Sequence, residues 1–340
     1  MTVRLFARLL RGAGLALALA TGSVTTVMAQ TAAPDLSGVT ITVGTPNKTG
    51  LHRQLLASGE AENVPYKIKW ADFDSTPPLV EALRAGHVDI AAGGDTGVFF
   101  GIANGLKITI LAGSLERKES GSAILVRGDS SLKTVADLKG HKVALPYFTK
   151  QHYQFAKALE SADVPWDKKL ILNLNTTDGL SALVNGQVDA FVVWDPNTAI
   201  AQQQHGARIL RSLSKVIDTA GVLYTPTEAL ADPARKAALQ DLTRRIIRAQ
   251  AWVNAHPQEW SEQIAKLSQI SPDAAALQTS RSSVDYVPAT QTDVVDGWKK
   301  EIAFFHGTGD FKRKFNIEDY TAKDFDNVIN DENKKLAKTN

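Results

Sequence analysis

Five places in the chain join an apolar run to a following helix signal through small, polar or acidic residues, and such junctions can hold an anion. They lie at residues 47–50, 95–97, 148–152, 176–179 and 195–198. A helix N-terminus presents unpaired backbone N–H groups and a partial positive charge, so it can bind an anion without a dedicated salt bridge. Asn47, Lys48, Thr49, Gly94, Thr96, Thr149 and Thr176 stand at or beside these starts. A threonine there either caps its helix or offers its hydroxyl to a ligand. Asp95 and Asp195 could receive an ammonium or a hydroxyl, and could equally cap the helices that follow them. Lys150 is the most pointed cation for an anionic group, and Arg53 would be a bidentate clamp if it faced a cleft. Glu116 and Arg117 fall near the right place, where exposed loop charges explain them as well. Trp194, Tyr147 and Phe148 would give a pocket an aromatic wall or else complete the core.

The elements that must position these residues announce themselves by repetition. Residues 79–95, LVEALRAGHVDIAAGGD, are echoed at residues 179–195 as GLSALVNGQVDAFVVWD. Without a gap the copies share Ala82/Ala182, Leu83/Leu183, Gly86/Gly186, Val88/Val188, Asp89/Asp189 and Asp95/Asp195. Each copy reads as an amphipathic helix, a Gly stop, a connecting Val-Asp and a buried parallel strand that ends at an Asp. Ligands of open α/β sheets bind beyond the carboxyl ends of the strands. Two such ends imply two similar α/β lobes closing a cleft, an architecture for binding.

Composition narrows the setting. Arg4, Arg8 and Arg11 precede an apolar stretch, and Val27-Met28-Ala29 offers a small-x-small cleavage site, so residues 1–29 read as a secretory signal. Removing them takes away three of the 38 Lys and Arg and none of the 36 acids, which leaves 35 against 36, about −1. The charges are interspersed, with no nucleic-acid footprint. The chain has no cysteine, which excludes disulfides, thiolate metal sites, a cysteine nucleophile and a lipid-modified anchor. A soluble periplasmic protein is expected. The seven histidines show no metal-ligand spacing, and there is no P-loop, G-x-G-x-x-G or G-x-S-x-G turn, so no metal, cofactor or catalytic set is expected.

Along the chain, residues 39–43 alternate as a strand, residues 66–70 form a second, and residues 106–111 another. Residues 123–126 close the first lobe, and the composition change at residues 127–131 marks the crossover. Val222-Leu223-Tyr224 is the returning strand. Lobe 1 is therefore residues 38–126 plus 222–340, and lobe 2 is residues 127–221. Beyond Asp232 the chain is mostly helical, with Pro257, Pro272 and Pro288 at helix starts and loops. Trp252, Trp260 and Trp298 there are expected to pack.

The motifs LVEALRAGHVDIAAGGDT, SSLKTVADLKGHKVAL and VNGQVDAFVVWDPNTA resemble, in order and spacing, the periplasmic substrate-binding proteins of ABC importers, in particular the aliphatic sulfonate, taurine and nitrate group. The resemblance implies a type II-like periplasmic-binding-protein fold, each lobe a mainly parallel sheet flanked by helices, with two crossover strands as hinge. It implies a monomer that captures a small organic anion, most simply an aliphatic sulfonate such as taurine or an alkanesulfonate, and delivers it to a membrane permease. Sulfonate-binding relatives carry a Gly-Ser-Ser-His kind of loop where this chain has residues 146–152, PYFTKQH; of that loop only His152 is retained. The bulkier loop leaves an aromatic carboxylate or a thiamine-precursor pyrimidine as alternative ligands. A pyrimidine-synthase-like enzyme on the same fold is the alternative of another class, and would need reactive His and Lys in the cleft.

Overall fold

A computed structural model describes residues 34–339 with the exception of Lys48 and Asp218. The expected signal segment and Lys48 lie outside the described residues. Among the described residues no helix is long and apolar enough to cross a membrane.

The first run of elements is β1 (Thr40–Thr45), α1 (Leu51–Ala57), β2 (Lys67–Asp72), α2 (Thr76–Arg84), β3 (Ile90–Gly93), α3 (Asp95–Ala103) and β4 (Ile108–Glu116). The second is β5 (Ala123–Val126), β6 (Val143–Leu145), α4 (Lys150–Glu160), β7 (Ile171–Asn173), α5 (Thr176–Val184), β8 (Ala190–Val193), α6 (Asn197–His205) and β9 (Arg208–Ser212). The chain then returns through β10 (Gly221–Pro226) to α7 (Pro233–Ala255), α8 (Pro257–Ser268) and α9 (Pro272–Ser280). It ends with β11 (Val284–Pro288), α10 (Thr292–Gly307) and α11 (Lys323–Thr339).

Two sheets result, ordered β11-β4-β10-β3-β1-β2 and β7-β6-β8-β5-β9. Strands β1, β2 and β3 pair in parallel, as do β6, β7 and β8. Both sheets are mixed rather than mainly parallel, because the strands that carry the chain between them, β4 and β10, β5 and β9, pair antiparallel with their neighbours. Strand β5, expected in the first lobe, lies in the second sheet between β8 and β9. An apolar run of four residues satisfies either sheet, so its sequence could not tell which. The chain crosses at residues 117–122 and 213–220, and Ser214 Oγ donates to the Ser120 carbonyl at 2.8 Å where the crossings meet.

Alternation along the strands sorts side chains between layers. In the first sheet Ile110, Val222 and Tyr224 pack toward α2, α3 and α10, while Leu111 and Leu223 pack toward α1, α7 and α11. In the second sheet Ile124 and Val126 face α4, whereas Ala123 and Leu125 face α5 and α6. A fully buried side chain of this size contributes roughly 1.5–3 kcal/mol.

The repeat has a structural counterpart in each sheet. Both copies form a helix, a Gly in the left-handed region (Gly86 φ +76, Gly186 φ +69) and a parallel strand. The shared aspartates do the same job. Asp89 accepts from the Thr42 amide at 2.7 Å and Asp189 from the Lys142 amide at 2.9 Å, each fixing the repeat strand against its parallel neighbour, β1 or β6.

Candidate functional site

The residues beyond the strand ends of both sheets line one cleft with a volume of about 270 Å³. The first lobe supplies Asn47, Thr49 and Gln54 from around the start of α1, and Gly93 and Gly94 from the end of β3. The second supplies Thr149, Lys150, Gln151, Trp194 and Asp195. Glu116, Lys118, Ser120 and Ser122 form the side along the first crossing. Trp260 of α8, Gln278 of α9 and the following Arg281 complete the lining. The α8–α9 pair reaches both lobes: Trp260 and Ile264 pack with Ala57 of α1 and Ile200 of α6.

Polar groups in this lining are mostly preoccupied. Gln278 Nε2 donates to Thr49 Oγ1 at 2.9 Å, and its Oε1 is buried without a partner. Thr149 Oγ1 donates to the Pro146 carbonyl at 2.7 Å, and Asn47 Oδ1 accepts from the Thr49 amide at 2.9 Å. Lys150 Nζ, buried in the wall, donates to Glu116 Oε1 and to the Thr219 carbonyl, each at 3.2 Å. Burial opposes both charges of that pair, but the mutual attraction prevails: the Lys150 ammonium is held above its ordinary pKa and the Glu116 carboxyl below its own. Arg281 grips Asp195 with two bonds of 2.8 Å. Lys118 is exposed and makes no ion pair among the described residues. The charged lining is thus Lys118, Lys150 and Arg281 against Glu116 and Asp195.

Several expected site residues stand elsewhere. Asp95 and Thr96 are fully buried behind Gly94, because α3 is apolar on nearly all sides and is sandwiched in the core. Thr96 Oγ1 donates to Glu301 Oε1 at 2.5 Å, and Asp95 accepts from the Thr96 amide at 3.0 Å. Burial and mutual repulsion raise the pKa of Glu301 well above the carboxylate range, and burial raises that of Asp95. Asp95 Oδ2 and Glu301 Oε2 are buried without a hydrogen-bond partner, which drives both groups toward the protonated form.

Tyr147, Phe148 and His152 also leave the cleft. Phe148 has φ +61, which turns the loop so that its ring meets Phe100 with centroids 4.5 Å apart. His152 stacks on Tyr147 at 5.0 Å and lies 4.9 Å from Trp166, while its Nδ1 accepts from the Phe148 amide at 3.2 Å. Burial lowers its pKa to about 4, so the ring is neutral. These aromatics join the lobes through α3, α4 and α10. Thr176 is buried at the start of α5 and does not line the cleft; its neighbour Asn175 is the cap, accepting from the Asp178 amide at 2.8 Å. Arg53 turns away to pair with Asp72.

Asn47, Thr49, Gly94, Thr149, Lys150, Trp194 and Asp195 do come together at the cleft. Asp195 is both cap and wall, since Oδ1 accepts from the Ala199 amide at 3.1 Å. Reading the sequence missed Lys118, Gln278 and Arg281, which belong to no repeat or strand end, and assigned Trp260 to packing alone. Trp298 does pack, its indole donating to the Ala220 carbonyl at 2.7 Å.

Comparison with known proteins adds three likenesses. A protein of Escherichia coli (strain K12) with the provisional name aliphatic sulfonates-binding protein is 36% identical over 145 residues, 43% of this chain and 45% of that one. The chain therefore spans about half the length of that relative. The taurine-binding periplasmic protein of the same organism is 24% identical over 239 residues, 68% of this chain and 72% of its own. The structure of the alkanesulfonate-binding protein of Xanthomonas axonopodis pv. citri bound to MOPS superposes with a TM-score of 0.76 at 21% identity, covering 84% of this chain and 99% of that one. At that identity the superposition establishes the fold, the two-lobed one of periplasmic binding proteins. The family model described as NMT1/THI5 like matches residues 72–260. This chain belongs to the NMT1/THI5-like family.

Proposed function

We propose that the chain is the solute-binding component of an ABC importer and captures a small organic anion, with an aliphatic sulfonate as the favoured ligand. It would act in the periplasm after loss of its signal segment near Ala29, and hand its ligand to a membrane permease. The observation that carries this reading is the cleft itself. It lies between two lobes joined by paired crossings, its lining carries three cations against two acids, and Trp194 supplies aromatic surface for an apolar body. Capture would proceed by a population shift toward the closed arrangement that a permease recognises. The names of the sulfonate- and taurine-binding relatives support the ligand class.

An enzyme on this fold would need a reactive His and Lys in the cleft. His152 lies outside it, neutral and enclosed by aromatic rings, and Lys150 is a charged ammonium bonded to Glu116 and the Thr219 carbonyl. Both observations support binding over catalysis. A thermal-shift panel of alkyl and aryl sulfonates, nitrate, aromatic carboxylates and thiamine-precursor pyrimidines tests the reading on residues 30–340. A ligand at a hundred times its dissociation constant adds about 2.7 kcal/mol to stability. A shift with sulfonates is expected, and a shift confined to carboxylates or pyrimidines would overturn the ligand.

A further inference from the structure

The two lobes meet along two seams of different chemistry, and each seam supplies part of the cleft lining. In the first, α4 of the second lobe packs on α3 and α10. Phe148 meets Phe100 with ring centroids 4.5 Å apart, and Tyr153 meets Phe304 at 5.1 Å and Phe305 at 5.7 Å. Glycines let the chains close up here. A Cβ on Gly97 would stand 2.9 Å from the Phe148 carbonyl oxygen, and one on Gly94 3.2 Å from Lys150 Cβ. Parting this seam would bring the rings into water, which opposes it, and would separate the buried Lys150 from Glu116.

In the second seam α6 meets α9 and its flanking residues, which β11 anchors to the first sheet. Asp195 accepts from Arg281 Nε and Nη2 at 2.8 Å each, and Arg281 Nη1 donates to Gln202 Oε1 at 3.0 Å. Gln204 Nε2 donates to Ser271 Oγ at 3.1 Å. A partly buried Ile200 adds apolar contact with the cluster of Trp260 and Ile264. Water can replace each of these polar partners, and the attraction within a desolvated ion pair is largely offset by the hydration it gives up. Such a seam can part and re-form reversibly. Because Trp194, Asp195 and Arg281 line the cleft, its parting opens the cleft to solvent. We propose that the α6–α9 seam is where the cleft opens and the Arg281–Asp195 pair is its latch, while the α3–α4–α10 seam stays joined as the pivot. This rests on the reading of the cleft as an organic-anion site and deepens it.

The chain has no cysteine, so introduced pairs can be bridged without interference. Gln204→Cys with Ser271→Cys spans the α6–α9 seam. Lys157→Cys with Phe304→Cys spans the other, where Lys157 Nζ lies 5.7 Å from the Phe304 ring. Each pair is bridged by a short bis-maleimide, and exchange of propane-1-sulfonate is followed by stopped-flow tryptophan fluorescence against the same protein unbridged. Bridging the α6–α9 seam should slow association and release at least about tenfold, and bridging the other should leave both within about twofold. Arg281→Gln should release the ligand about tenfold faster in the unbridged protein. With the α6–α9 seam bridged, the substitution should no longer matter, whereas loss of a direct ligand contact would still show. Slowing by the α4–α10 bridge equal to or greater than that by the α6–α9 bridge overturns the inference and leaves the organic-anion reading intact, as does no slowing by either. An Arg281→Gln effect that persists in the bridged protein overturns the latch. Failure of unbridged wild type to bind propane-1-sulfonate overturns the functional reading and this inference with it.

Discussion

Gly121 and Asp195 touch across the cleft: a Cβ placed on Gly121 would stand 2.0 Å from Asp195 Oδ2. The close approach brings the first crossing against the carboxylate that Arg281 holds. Gly121→Ala must push that carboxylate away or displace the crossing. Overpacking of this kind costs about 1–3 kcal/mol. The variant should melt earlier and bind its anion more weakly, read by thermal denaturation with and without ligand.

The buried His152 makes stability fall in acid. Its pKa is lowered from 6.5 to about 4, so between those values the unfolded chain takes up a proton that the native ring refuses. Stability from this residue is fully present above 6.5 and is lost as pH falls toward 4. The difference is worth about 3 kcal/mol. His152→Asn, which can still accept from the Phe148 amide, should flatten the urea-unfolding profile over that window.

Asp95 and Glu301 act in the opposite direction. Their native pKa values are raised, so the stability tied to their protonation is present at low pH and is lost as pH rises through the native values. The groups facing these carboxyls are Thr96, Thr219 and the Lys150 ammonium from α4. Glu301→Gln can accept from Thr96 and donate to Asp95. Its melting temperature should match wild type near pH 5 and exceed it at alkaline pH.

The repeated aspartates should differ in weight. Asp89 ties β3 to Thr42 and also holds Arg235 at 2.5 Å with its side chain 17% exposed, whereas Asp189 is 41% exposed. Replacing Asp89 by Ala should cost about 2–3 kcal/mol and replacing Asp189 about 1 kcal/mol, measured by urea unfolding.

The repeat made both lobes legible because helix, Gly stop and strand are local patterns, and Asp89 and Asp189 recur with them. The returning strand was legible from its apolar run. The contribution of α8 and α9 to the cleft was not, because Trp260, Gln278 and Arg281 come from a region with no repeat partner and meet the lobes only after folding. Phe148 and His152 misled for a definite reason: they follow β6 toward the cleft in sequence, but the left-handed φ of Phe148 turns the loop onto Phe100 instead. Asp95 misled because the Asp at the end of a repeat strand sits in the wall in one copy and one layer deeper in the other. The difference lies in what packs outside it: α3 is covered by α4 and α10, whereas Asp195 lines the cleft in direct contact with Arg281.

The most direct measurement is a crystal structure of residues 30–340 with an alkanesulfonate. The account predicts the anionic group within the cleft lined by Lys118, Trp194, Trp260 and Gln278, with the Arg281–Asp195 pair intact. A ligand bound outside that cleft, or one seated in it with Asp195 released from Arg281, would contradict it.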